Sequence, residues 1–278
     1  MGHRPGPGAR RWHDADGRHL SVSAVEGAGV VVTGAGHGIG RALARRLADG
    51  GARVVVNDLD ADAARSVAEE IGGYAAPGDA AGEVGVGQLV ATARETLGGI
   101  DIYCANAGIA PSGGPEAAED AWSRAWDVNV MAHVRASRLL VPGWLESGGG
   151  RFVATVSAAG LLTMLGSAPY SATKHAALAY AEWLSATYGH RGVTVQCICP
   201  QGVRTRMLSD TGAAGDVVLR ESAIEPEEVA EALWEGLHDD RFLILPHPEV
   251  RGYYANRAAD PDRWLAGMRR LQQRLDVM

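Results

Sequence analysis

Lysine is nearly missing from this chain: of its 26 lysine and arginine residues one is lysine, Lys174, and 25 are arginine. A sequence that uses a guanidinium wherever positive charge suffices has kept a compact ammonium at one position, so Lys174 needs a chemical explanation. Cysteine is scarce too. Cys104, Cys197 and Cys199 cannot form an even disulfide framework, and all lie in apolar runs that read as buried strands, so they are taken as core residues. No stretch approaches the roughly 18 apolar residues of a membrane-spanning helix. Residues 1–20 hold Arg, His, Pro and Gly where a secretory signal would carry an apolar core, so a cytoplasmic protein with no membrane partner is expected. There is no HExxH and no Cys/His cluster at metal-ligand spacing, and no catalytic metal is expected. A net charge of −7 offers no concentrated basic face, which sets nucleic acid aside as a partner.

What is present is the composition of an ordered protein. The 278 residues are 46% hydrophobic and 21% charged, enough to bury a full core. Residues 1–28, rich in Gly, Pro, Arg and His, read as a poorly ordered tail, most clearly from Met1 to about Arg18. From Gly29 onward short β-branched runs alternate with stretches of helical period, the pattern of βαβ units and a parallel sheet. Strands are predicted at Val30–Thr33, Arg53–Asn57, Gly73–Pro77, Ile100–Ala105, Arg151–Ser157, Val193–Cys199 and Phe242–Pro246, seven in all. Helices are predicted at Gly38–Gly50, Ala61–Ile71, Val84–Leu97, Ala117–Glu146, Pro169–Gly189, Pro226–Leu237 and Asp260–Leu275. The two long helices at 117–146 and 169–189 carry small apolar residues on more than one face, which implies cover by further copies of the chain in a dimer or tetramer. No linker or repeat divides residues 29–278, which read as one domain.

The first βα turn, Thr33-Gly34-Ala35-Gly36-His37-Gly38-Ile39-Gly40, directly follows an apolar strand and opens a helix. Glycines in that setting let the chain turn tightly and bring a pyrophosphate against the free N–H groups and positive end of the helix. Strand, turn and helix together point to dinucleotide binding and to an α/β Rossmann-type doubly wound seven-stranded parallel sheet with helices on both faces. Asn57-Asp58 ends the second strand, eighteen residues beyond Gly40. A carboxylate there accepts hydrogen bonds from both adenosine ribose hydroxyls and repels a 2′-phosphate, so NAD is expected over NADP with Asp58 as the discriminating residue. His37, a cation inside the turn, weighs in the other direction.

Tyr170-Ser171-Ala172-Thr173-Lys174 falls on a predicted helix, placing Tyr170 and Lys174 one turn apart on one face. A nearby ammonium favours phenolate and is expected to lower the Tyr170 pKa toward the working range of a general base. The same compact charge can bond ribose hydroxyls. Ser157 ends the fifth strand, where open parallel sheets present their crevice, with a hydroxyl able to bond a substrate oxygen. Ala154 to Ala158 has no glycine-flanked elbow and no His/Asp arrangement around it, so Ser157 is not read as a nucleophile.

Together these residues resemble the short-chain dehydrogenase/reductase family in its ordinary single-domain branch, over about Gly29 to Pro246. The glycine turn, Asn106-Ala107-Gly108 after the fourth strand, Asn129, Ser157 and the Tyr170…Lys174 pair occur in the family's order. The resemblance implies a catalytic set of Asn129, Ser157, Tyr170 and Lys174, with Asn129 holding a water that extends a proton path from Lys174. It also implies cofactor contacts from Gly34, His37, Gly38, Ile39 and Gly40, from Asp58 and Leu59, and from Asp79 and Ala80 near the adenine. Asn106 and Gly108 would lie beside the adenosine ribose, and Tyr170, Lys174, Pro200, Val203 and Thr205 around the nicotinamide. Two positions depart from the family pattern. Ala105 stands where a second Asn is frequent, and Gln201 where a Gly usually follows Pro200, which puts a β-carbon in the pocket roof.

The implied reaction is hydride transfer between a secondary alcohol or ketone and a nicotinamide, with Tyr170 exchanging the hydroxyl proton. Phe152 to Thr173 contains no charged residue, so a small hydrophobic alcohol or ketone is the expected substrate. Arg204 and Arg206 are either solvated or contacts for an anionic substrate group. Arg206 to Glu225, with Gly212 to Gly215 near its middle, reads as a flap over substrate. His247 and the closing helix read as structural or as subunit contacts. Two alternatives stay open: an NADPH-dependent ketoreductase of a biosynthetic pathway, and a non-catalytic dinucleotide-sensing protein. Intact Asn129, Ser157, Tyr170 and Lys174 argue against the sensor.

Overall fold

The computed structural model describes residues 25–209 and 222–277. The predicted tail up to residue 24 and the centre of the predicted flap lie outside them. The strands are β1 (Gly29–Val32), β2 (Arg53–Val56), β3 (Tyr74–Ala75), β4 (Ile102–Ala105), β5 (Gly150–Thr155), β6 (Val193–Ile198) and β7 (Leu243–Ile244). They form a 7-stranded parallel sheet in the order β3-β2-β1-β4-β5-β6-β7, the doubly wound arrangement expected. The order reverses between β1 and β4, and such a reversal opens a crevice at the carboxyl ends of the strands.

Helices fill both faces: α1 (Gly38–Asp49), α2 (Ala61–Glu70), α3 (Glu83–Leu97), α4 (Glu119–Trp126), α5 (Ala132–Ser147), α6 (Ala168–Tyr188), α7 (Arg206–Ser209), α8 (Pro226–Asp239), α9 (Glu249–Ala259) and α10 (Pro261–Leu275). The period-two rule sorts the strand residues between two cores. Val30 and Val32 join Leu43 of α1, Val67 of α2 and Leu233 of α8, whereas Val31 joins Leu89 of α3, Leu140 of α5 and Leu184 of α6. Cys104 belongs to the first core and Cys197 and Cys199 to the second; all are free and buried, as core residues should be. Val25 and Ala28, placed in the tail by composition, are buried in the α1/α2/α8 core, and the Gly27 N–H donates to the Gly51 carbonyl at 2.7 Å. The last four residues of the predicted tail are thus a turn of the fold.

Two features depart from the predicted helices. The stretch read as one helix over 117–146 contains a π-helical turn, Asp127–Met131, between α4 and α5. Helix α9 has no clear apolar period, with Val250 its one buried residue, and so escapes a periodicity reading.

At the far edge of the sheet a buried ion pair joins β5, β6 and the turn after α8. Arg151 donates to Gln196 Oε1 at 2.6 Å and to Asp240 Oδ1 at 2.5 Å, with 6% of the Arg151 side chain exposed. Asp240→Asn keeps the shape and tolerates the positive φ of that residue but removes the counter-charge. It is expected to lower the unfolding free energy by about 2 kcal/mol, read from the midpoint of urea unfolding.

Candidate active site

Backbone geometry explains the glycines after β1. Gly34 has a φ of +61°, and a β-carbon on Gly40 would lie 2.1 Å from the Gly34 carbonyl oxygen. The first turn of α1 carries no acidic residue and His37 provides no side-chain cap, so that turn supplies no anion of its own to the positive helix end. Asp58 closes the turn from the end of β2, where Oδ2 accepts the Gly36 N–H at 2.8 Å and Oδ1 the Asp60 N–H at 3.0 Å. His37 Nε2 lies 3.5 Å from Asp60 Oδ2, so its ring faces a carboxylate.

Below this turn Asn106 joins the strand ends. Its Nδ2 donates to the carbonyls of Thr33 at 3.0 Å and Gly34 at 3.2 Å, and its Oδ1 accepts from Thr155 Oγ1 at 3.0 Å. The Asp79 carboxylate is also committed, accepting the N–H groups of Ala81 at 2.8 Å and Gly82 at 2.9 Å ahead of α3. The sequence pattern does not reveal these scaffolding bonds.

Ser157 follows β5 with a φ of +83°, a region costly for a residue with a β-carbon and one that clusters at functional sites. Its hydroxyl donates to the Pro200 carbonyl at 3.4 Å and accepts the Ala159 N–H at 3.2 Å. Tyr170 and Lys174 both lie on α6 and are 7% and 3% exposed. Lys174 Nζ donates to the Thr155 carbonyl at 2.8 Å and stands 5.6 Å from the Tyr170 ring centroid. Burial pushes the Lys174 ammonium down to about 8. Burial also raises the Tyr170 phenol, against the opposing influence of the nearby Ser157 hydroxyl. The expected lowering of the Tyr170 pKa is therefore corrected: desolvation, which penalises the phenolate, is the largest influence on this phenol.

Asn129 occupies the π-helical turn and is fully buried. Its Oδ1 accepts the Ile109 N–H at 3.0 Å, and its Nδ2 donates to the Ile109 carbonyl at 2.9 Å and to Thr173 Oγ1 at 3.0 Å. The wide turn thus sets this amide against both the strand-4 loop and α6. A β-carbon on Gly108 would meet Asn129 Oδ1 at 3.2 Å and Lys174 Nζ at 3.4 Å, so Asn129 and Lys174 flank the same bare backbone.

One cleft of about 1160 Å³ gathers the predicted residues. Its floor is the glycine turn with Gly34, His37, Gly38, Ile39 and Gly40; Asp58, Leu59, Asp79 and Ala80 lie toward one end. Asn106, Gly108, Ser157, Tyr170, Lys174, Pro200, Val203 and Thr205 line the remainder. Asn129 lies behind it. That volume exceeds the roughly 300–1,000 Å³ of a single-ligand pocket, which suits an extended dinucleotide with a second molecule beside it. The cleft is also lined by Leu162, Met164 and Leu165 and by two residues the sequence reading did not place there, Met268 and Leu271. Trp264, Met268, Leu271 and Leu275 share one face of α10; Trp264 packs on the core, while Met268 and Leu271 reach the cleft. The amphipathic stripe is legible in the sequence, but its destination is not. Arg257 of α9 holds this hairpin, donating to the carbonyls of Leu161 and Leu162 and meeting His175 Nε2 at 2.9 Å. Arg204 pairs with Glu225 at 2.8 Å.

Comparisons with known proteins agree with this geometry. The family model described as short chain dehydrogenase matches residues 28–215. The chain is 36% identical over 249 residues to 1-deoxy-11-beta-hydroxypentalenate dehydrogenase of Streptomyces avermitilis, covering 85% of this chain and 90% of that one. It is 33% identical over 237 residues to cyclohexanol dehydrogenase of an Acinetobacter species, covering 82% and 94%. Among solved structures, a short chain dehydrogenase/reductase from Burkholderia phymatum in complex with NAD superposes with a TM-score of 0.79 at 26% identity, over 86% of this chain and 95% of that one. Glycine turn, crevice, Ser157, Tyr170 and Lys174 thus sit in the fold their order implied, and the chain belongs to the short-chain dehydrogenase/reductase family of oxidoreductases.

Proposed function

We propose that the protein is an NAD-dependent dehydrogenase of small hydrophobic, cyclic secondary alcohols, with residues 29–278 acting as one catalytic domain. The observation that carries this reading is that Ser157, Tyr170 and Lys174 line one cleft together with the glycine turn and a set of apolar side chains. Relatives named for hydroxypentalenate and cyclohexanol support a cyclic alcohol, as does the apolar wall from Leu162 to Leu271. An uncapped helix end, a glycine cradle and a half-buried Asp58 fit a dinucleotide with a free ribose.

NAD, when bound, supplies the hydride acceptor. Tyr170 Oη takes the proton of the alcohol hydroxyl, while the Ser157 hydroxyl bonds the alcohol oxygen and holds it against the phenol. Lys174, fixed by the Thr155 carbonyl 5.6 Å from the Tyr170 ring centroid, offers its remaining N–H groups to ribose hydroxyls. Asn129 positions the Ile109 backbone and Thr173 behind Lys174. Run backward, the same groups reduce a ketone with Tyr170 as the acid.

The Asp58 carboxylate lines the cleft and would repel a 2′-phosphate, and His37 is turned toward the Asp60 carboxylate. Saturating NAD or NADH is therefore expected to raise the melting temperature, with NADP and NADPH giving little shift. Asp58→Ala should reduce the NAD-to-NADP preference in kcat/KM by roughly tenfold or more, about the value of one lost bidentate contact and one lost repulsion. A wild-type shift with NADPH alone would select the ketoreductase reading, and a cofactor ratio unchanged by Asp58→Ala would remove Asp58 as discriminator. Exposed Trp126, Leu139 and Trp183 on α4, α5 and α6 support assembly of further copies through the two long helical stretches.

A further inference from the structure

His247 stands between two prolines just past β7, is 3% exposed, and makes two bonds with one ring. Its Nδ1 accepts the Gln201 N–H at 3.1 Å, and its Nε2 lies 3.1 Å from the Ser222 carbonyl oxygen. A carbonyl can only accept, so Nε2 carries the proton and Nδ1 is the acceptor: the neutral ring in a single tautomer satisfies both partners. The pairing of β6 with β7 places this ring beside the turn that leaves β6. That turn is held from its other side by catalytic-site groups, since Ala158 N–H donates to the Pro200 carbonyl at 2.8 Å and Ser157 Oγ approaches it at 3.4 Å. Ser222 leads into Ile224, which bonds Gly202 at 3.1 Å and Arg204 at 2.9 Å across the bridge to Val203. Beyond Val203, the Thr205 methyl packs where a β-carbon on Gly38 would be, 2.9 Å away.

We propose that His247 is a positioning residue for the nicotinamide end of the cofactor site, its Nδ1 acceptor fixing the Pro200–Thr205 loop. The inference rests on the dinucleotide reading above. A histidine in this place also gives Gln201, which departs from the family's glycine, a bond that holds its backbone.

The test is calorimetric titration of NADH and, separately, ADP-ribose into the full-length protein and its His247→Ala, His247→Asn and His247→Gln variants. An asparagine amide can return an acceptor near Nδ1; a glutamine amide reaches toward Nε2. His247→Ala and His247→Gln are expected to weaken NADH binding by roughly fivefold to tenfold. ADP-ribose, which lacks the nicotinamide, should bind within twofold of wild type, and His247→Asn should bind NADH within about twofold. Equal losses for NADH and ADP-ribose, rescue by Gln in place of Asn, or wild-type NADH affinity in all three variants would each overturn the role of Nδ1. Wild-type protein that binds neither ligand would remove the dinucleotide reading and this inference with it.

Discussion

Tyr170→Phe is expected to cut alcohol oxidation by roughly 10²–10⁴-fold, the usual share of a positioned acid/base, while NADH binds within a few-fold of wild type. The substitution deletes one oxygen from a ring that is 7% exposed, so packing is retained and the proton-transferring hydroxyl is lost. Because burial raises this phenol, the wild-type enzyme with saturating NAD should show kcat/KM for oxidation rising with pH on the alkaline side, as the phenolate fraction grows. Carbonyl reduction needs the protonated phenol and should rise as pH falls. Stopped-flow NADH absorbance gives the rates and NADH fluorescence the binding. A Phe variant keeping a tenth of wild-type turnover, or the wild-type pH limb, would exclude Tyr170 as the proton-transfer group.

Most of the fold was legible because its signals are local. The alternation in Val30-Val31-Val32 and Val54-Val55-Val56 sends neighbouring side chains to opposite cores, and the glycine turn is contiguous with β1 and α1. Asp58 could be placed because it ends the next strand, in parallel register with β1. What stayed hidden depends on segments distant in the chain. The Tyr170 pKa turned the other way because burial, its main cause, is set by segments of the chain far from α6. The π-helical turn leaves no mark in a hydrophobic pattern, and neither do the bonds that Asn129 makes from it to Ile109 and Thr173. Met268 and Leu271 have the spacing of any amphipathic stripe, and only the Arg257 contacts show where the hairpin is held.

Lys174→Arg, a nominally conservative change, is expected to cost roughly 10²-fold in kcat/KM with NAD, through lost positioning rather than lost charge. Among the described residues the ammonium donates to the Thr155 carbonyl, and a β-carbon on Gly108 would stand 3.4 Å from Nζ, so bare backbone flanks the charge. A planar guanidinium brings more atoms and more donors into that space than it can accommodate or satisfy. Lysine also occupies the site at a thermodynamic cost, since burial pushes it to about 8 from an ordinary 10.5. Between those values the unfolded chain binds more protons at this position than the folded one, so the Lys174 contribution to stability improves as pH rises from about 8 toward 10.5 and is least favourable below 8. Lys174→Met removes that dependence. Relative to wild type, the Met variant should therefore compare best at neutral pH and lose ground steadily toward pH 10, while showing no useful turnover at any pH. Urea midpoints for the two proteins at pH 7 and pH 10 read this directly. A stability difference flat across that range would mean that the Lys174 ammonium is not paying for its burial, and an Arg variant with near wild-type rates would mean that the solitary lysine carries no chemical requirement.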